Sequence, residues 1–413
     1  MKPFPVAALF LVFCTTSALA AEDGPGATSV QTSPVGEVVI RQQGVANQAD
    51  VQQIDASVSR VAVEQLGNRN AIQATQVGGY ADSQLIQRGD DNRIDLWQTT
   101  TVYYGTAVIA QDGERNTAEL RQGPMSDTRL QQVGADNRII VDQQRYDDFF
   151  VTIEQVGQSN MHHVTQLGGY DTLNSQVVGE RNQVELVQDG WNQSARLDQS
   201  GNDNRIVATQ RSDFFGGTIL DVAQTGSDNT VDIEQGSNAH ARLSQTGNAN
   251  EMRVRQTLNN DLNFSQTGTS NVLAVDQGGS ENRVTGASSG NGNSVDVRQA
   301  SNHNELQLSQ NGDGNLVTIG QLGWSEIDVA QTGNDNEAHI RHASRFNELA
   351  LEQVGEANLA SVAQGGGVTD VRLLQHGTAN QADITSYLSD SQVSVSQTGS
   401  GNSATVSQRW VVR

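Results

Sequence analysis

The chain has 413 residues, of which 35% are hydrophobic and only 17% charged, with 41 Gly against 5 Pro. Its formal charge of -22 opposes binding to nucleic acid or anionic membrane surfaces. The proline and dense charge of a disordered chain are missing, and with Cys14 as the only thiol so is a disulfide framework.

Residues 1–20 read as a secretory signal peptide, with Lys2, an apolar run from Val6 to Cys14, and the small-residue cleavage site Ala18-Leu19-Ala20. The run is too short to span a bilayer. Cleavage removes Cys14 together with Lys2, the one lysine, and leaves a mature chain with no thiol chemistry. Residues 21–37 hold Gly, Ser, Pro25 and Pro34 without alternation, and a flexible leader is expected there.

From residue 38 to residue 408 a single pattern repeats. The template Gln-x-Gly-x-x-Asn occurs as Gln42-Gly44-Asn47, Gln65-Gly67-Asn70 and Gln87-Gly89-Asn92, and continues through Gln353-Gly355-Asn358 to Gln397-Gly399-Asn402. Two copies are degenerate: before Gly179 the Gln is displaced by one position, and before Gly290 a Ser replaces it. With these included, the mean period from Gly44 to Gly399 is about 22 residues. A second Gln follows half a period later, as at Gln76, Gln98, Gln364 and Gln408. Around these anchors apolar residues alternate with polar ones: Val61, Val63 and Gln65 share one parity, and Asn70, Ile72, Ala74 and Gln76 share another. That is strand periodicity.

Two short strands with one apolar face each cannot be stable as a lone hairpin. Stacking the periods buries those faces and predicts an all-β, two-sheet β-solenoid of about 17 strand-turn-strand rungs, spaced about 4.7 to 4.8 Å apart. Inward Gln and Asn at matching heights would then hydrogen-bond from rung to rung, which explains why amides occupy slots where charges would repel. Gly at the turn allows positive φ, and proline is nearly excluded from the repeats, with Pro124 alone among them, because every strand must donate along the stack. His342, Ser288 and Ser386 occupy Gln slots and are expected weak points.

The second turn of each period varies, and it collects most of the aromatic residues, among them Tyr80, Phe149, Phe150, Phe214, Phe215 and Trp324. They are expected along one edge, either covering the core or forming an exposed stripe for another filament, a surface or a polysaccharide. No catalytic, cofactor or metal residues are expected. Gly286-Ala287-Ser288-Ser289-Gly290 matches the form of a nucleophile elbow but has no helix after it, and the seven histidines have no metal-ligand spacing. Acidic turns such as Gly89-Asp90-Asp91-Asn92 lack the nine-residue calcium period and are read as charges that restrain premature assembly.

The extended pattern Ser-x5-Gln-x-Gly-x2-Asn-x-Ala-x3-Gln resembles the curlin repeat of bacterial curli subunits, and Ser391, Gln397, Gly399, Asn402, Ala404 and Gln408 fit all six positions. The resemblance implies a subunit secreted across both membranes of a Gram-negative envelope that polymerises outside the cell into amyloid fibres for adhesion and biofilm matrix. It further implies self-association, other curlin-type subunits and an outer-membrane secretion channel as partners. A capped, non-polymerising β-solenoid acting as a surface adhesin or binding rod is the alternative. Residues 409–413 would form a tail that covers the last rung.

Overall fold

A computed structural model describes residues 17–19, 26–31, 36–100, 104–144, 148–213, 216–343 and 345–409. These residues form strands and turns, with no helix among them. The chain divides into two compact units, Met1–Gly157 and Gln158–Arg413. Each is a two-sheet parallel β-solenoid of the expected kind.

In the first unit Glu37–Gln43, Arg60–Leu66, Ala81–Asp90, Gly105–Glu114 and Ser126–Ala135 form one sheet, each pairing in parallel with the next. The return strands Gln48–Ile54, Ala71–Val77, Arg93–Thr99, Thr117–Gln122 and Arg138–Gln143 form the other. Register follows the repeat rather than a constant residue count. Gln42 lies opposite Gln65, then Gln87, Gln111 and Gln132, although the spacing changes from rung to rung. The second unit repeats this arrangement from Met161–Gln166 to Ser403–Gln408 and from Thr172–Glu180 to Ser391–Ser400.

Alternation decides what is buried. Val61, Val63, Ile72 and Ala74 face the interior with Gln65, Asn70 and Gln76, all at most 2% exposed, while Arg60, Glu64 and Gln73 face outward. Each rung contributes only a few apolar side chains, so stability is built by adding rungs. Packing between rungs is mutual: the aromatic ring of Phe264 occupies the space left by Gly286 in the next rung, where an added Cβ would lie 2.8 Å from its Cε2.

Two expectations need correction. Within the supposed leader, Gly26–Gln31 is a strand paired in parallel with Gln48–Gln53, and Gln31 falls in register with Gln53. It carries the Ala-x3-Gln half of a rung, Ala27 to Gln31, one period ahead of Ala49 to Gln53. Ser17–Leu19 pairs beside Val39–Arg41; residues 1–16 and 410–413 lie outside the described residues. The second correction is Phe149, which is fully buried instead of lying on an aromatic edge. It shares the parity of Val151, Ile153 and Gln155, so the strand turns it inward.

Candidate functional site

Three columns of amides run along each unit. In the first, each Gln donates Nε2 forward to Oε1 of the Gln one rung later: Gln42 to Gln65 at 2.6 Å, Gln65 to Gln87 at 2.8 Å, Gln87 to Gln111 at 2.9 Å. Its other amide proton crosses to the opposite sheet, from Gln65 to the Gln48 carbonyl at 3.0 Å and from Gln87 to the Ala71 carbonyl at 3.2 Å. A single side chain therefore joins the next rung and the facing sheet. The second column has the same direction, through Gln53, Gln76, Gln98 and Gln122. In the second unit Gln353 donates to Gln375 at 2.9 Å and Gln375 to Gln397 at 2.8 Å.

The asparagines run the other way. Asn70 Nδ2 donates backward to Asn47 Oδ1 at 3.2 Å and forward to the Gly89 carbonyl at 2.7 Å, while the Asn70 backbone N–H also reaches Asn47 Oδ1. Asn92 repeats this on Asn70 and Asn358 on Asn336, while Asn402 repeats the backward bonds to Asn380. Hydrogen bonds in the Gln and Asn columns thus run in opposed directions, and along the unbroken stretches the buried amides meet their partners within the stack.

The turn glycine is required by more than its φ. Gly67 has φ +122°, and a Cβ there would lie 2.0 Å from the carbonyl oxygen of Gly89 in the next rung. Gly44, Gly89 and Gly355 meet the same obstruction. Two residues later the chain turns left-handed again, now at residues that are mostly not Gly: Ala46, Arg69, Asp91, Arg115, Asp136, Ala249 and Ala357 have φ between 53° and 58°. The sequence reading missed this position, whose signals are the occasional Gly such as Gly292, Gly314 and Gly401 and the recurring Asp at Asp91, Asp136, Asp203 and Asp335.

That position also carries charge in alternation. Arg69 pairs with Asp91 at 2.7 Å and Arg115 with Asp136 at 2.8 Å, and in the second unit Arg181 pairs with Asp203 at 2.8 Å. The guanidinium hydrogen bonds hold the carboxyls of Asp91, Asp136 and Asp203 below their ordinary pKa. Asp90 accepts the Asn68 backbone N–H at 2.8 Å. The acidic turns thus bind the preceding rung as well as adding surface charge.

The columns have breaks. Gln176 precedes the slot by one residue, so Val177 fills it, and Gln199 Oε1 in the next rung has no donor. Ser288 and Ser386 preserve the forward direction with a hydroxyl, reaching Gln310 and Gln408 at 2.8 Å. His342 does not: both ring nitrogens lack a hydrogen bond, as does Oε1 of Gln364 in the next rung. Burial pushes its pKa down to about 4. Of the three expected weak points, His342 is the one that leaves buried atoms unpaired. Ser288 lies inside a strand with its hydroxyl committed to the column.

Sequence reasoning gave no role to two further buried groups. His162 sits in an apolar slot opposite Val184, contacts Ser175 Oγ at 2.8 Å, and is driven by burial to a pKa of about 3. Asp171, in a second turn, accepts the Gln193 backbone N–H at 3.0 Å, has an unpaired Oδ2, and is raised by burial to about 7.

Aromatic side chains do gather at second turns, as ring pairs: Tyr80 edge-on to Tyr104 at 5.2 Å, Tyr170 tilted against Trp191 at 5.8 Å, and Trp324 edge-on to Phe346 at 5.5 Å. Tyr104, Phe150 and Phe346 are exposed, while Tyr80 is half-buried. Phe214 and Phe215 lie outside the described residues.

Comparison with known proteins agrees with this geometry. Residues 179–211 match the family described as curlin associated repeat. The segment runs from the Gly179 turn through a complete rung to Arg211, and its strands are in register with those of the rungs that follow it. No curated protein matches the chain.

Proposed function

Since the chain carries a curlin repeat, we propose that it is a secreted structural subunit of extracellular, curli-like amyloid fibres that support adhesion and biofilm matrix. The observation that carries this reading is the translational sameness of the rungs. Along the unbroken stretches of the columns each Gln donates forward and each Asn donates backward, so what one rung offers, the next accepts. A second copy of the chain placed on an end rung meets the contacts of one more rung. At Ser403–Gln408 the inward positions Ala404 and Val406 are half-exposed, whereas Ala382 and Ile384 one rung earlier are fully buried. Among the described residues, that edge has strand donors and acceptors with no further rung against them.

Self-association is the primary interaction in this reading, with other curlin-type subunits and an outer-membrane secretion channel as further partners. The chain acts through assembly, without catalysis. Incubating residues 21–413 with an amyloid dye, followed by fibre diffraction, tests it. Seeded growth with a meridional reflection near 4.7 to 4.8 Å is expected. A soluble chain that stays monomeric at concentrations where seeds are stable would overturn it and favour a non-polymerising adhesin rod.

A further inference from the structure

Trp97 lies on the outward face of the strand Arg93–Thr99, where no core requires it, and is 51% exposed. Its counterparts in the adjacent rungs are Thr75 and Arg121. Thr75 is short, and the surface beside the indole forms a hollow of about 550 Å³ with Gln73, Asp95, Glu119 and Arg121 among its walls. The indole N–H is occupied by Thr99 Oγ1 at 3.1 Å, which fixes the ring and leaves it as an apolar plate. The charges around the plate pair internally. Arg93 binds Asp95 through two hydrogen bonds of 2.7 and 3.0 Å, and Arg121 lies 3.8 Å from Glu119.

We propose that this hollow is a binding site for a neutral, pyranose-based polysaccharide. A ligand for it must be apolar on one face, to cover the fixed indole, and rich in uncharged hydroxyls at its edge. Paired carboxylates keep spare lone pairs and paired guanidinium groups keep spare N–H donors, so the rim can exchange hydrogen bonds with hydroxyls in both directions. An anionic ligand would meet two carboxylates and gain no unpaired cation, and a cationic one would compete with Arg93 and Arg121. A hexopyranose combines an apolar C–H face with equatorial hydroxyls and meets both demands. The preset ring lowers the ordering cost of binding. The site requires only a folded first unit and is independent of polymerisation.

The test is titration of the soluble full chain with neutral gluco-, manno- and galacto-configured hexasaccharides, with an anionic uronate hexasaccharide as comparison, followed by intrinsic fluorescence and calorimetry. At least one neutral series should bind, with affinity reduced at least tenfold in Trp97→Ala, partly retained in Trp97→Phe, and unchanged in Trp324→Ala. Because the side chain faces solvent, Trp97→Ala should keep the parent circular dichroism and melting temperature. Absence of binding to all neutral series, equal binding by Trp97→Ala, or preference for the uronate would overturn the assignment.

Discussion

The two turns of a rung solve the same problem, reversing a strand, by different means. The first turn is almost invariant, with a left-handed Gly that leaves no room for a side chain, a left-handed residue after it, and an Asn that bonds to both neighbouring rungs. The second turn changes length and composition, and its glycines are unequally crowded: a Cβ on Gly190 would lie 2.1 Å from the Ser212 carbonyl oxygen, whereas one on Gly278 would come no closer than 3.9 Å to another atom. The contrast shows where specificity resides. One edge of each unit holds rungs in register through backbone contact and amide hydrogen bonds, and the other is free to vary and to display aromatic residues.

The largest effect should come from pushing a side chain into the constant edge. In Gly247→Ala the new Cβ would meet the Gly268 carbonyl oxygen at 2.0 Å with φ held near +117°. A destabilisation of about 4 kcal/mol or more is expected in chemical unfolding, against less than about 0.5 kcal/mol for Gly278→Ala in the variable turn. Equal costs would erase the distinction between the edges. Next in size is Asn250→Ala, which removes hydrogen bonds to Asn229 Oδ1 and the Gly268 carbonyl and leaves Asn271 Nδ2 without its Asn250 acceptor. Its cost should be about 3 kcal/mol, measured by urea denaturation.

His342→Gln works in the opposite direction. It restores a column residue between Gln321 and Gln364, and should stabilise the chain by about 1 to 3 kcal/mol. The pH dependence follows from its pKa of about 4, below the ordinary 6.5. The unfolded chain takes up this proton more readily, so the parent loses stability as pH falls from about 6.5 towards 4. Subtracting the stability curve of His342→Gln from that of the parent should isolate this slope, because Asp171 and His162 contribute to both. A flat difference curve would mean that the imidazole is not held neutral by burial. The smallest effect is expected from Ala249→Gly, where φ is 54°: relief of left-handed strain should raise stability by about 0.5 to 1 kcal/mol in thermal melts.

Much of this was legible in the sequence because each rung repeats the same instructions. Parity around Gln65 and Gln76 identified the inward faces, the period identified the stacking, and the Gly-x-x-Asn spacing identified the constant turn. The strand at Gly26–Gln31 was missed because its rung lacks the Gln-x-Gly turn, although Gln31 stands 22 residues before Gln53. Phe149 was misplaced because proximity to a turn was given more weight than parity with Gln155. The opposed directions of the Gln and Asn columns, and the pairing of Arg69 with Asp91, depend on which atom faces which across a rung, information that one-dimensional spacing does not contain. Trp97 differs again: parity places it outward, but the hollow beside it arises from Thr75 in the adjacent rung.

The central claim is that slot glutamines stand one above another at the spacing of the strands. Labelling every glutamine carboxamide carbon with ¹³C and measuring dipolar recoupling in the solid state tests this most directly. A dominant coupling that corresponds to about 4.8 Å, lost at the Val177 gap and restored in Val177→Gln, is the result expected. Couplings no stronger than those of carboxamides dispersed at random over a protein surface would contradict the account.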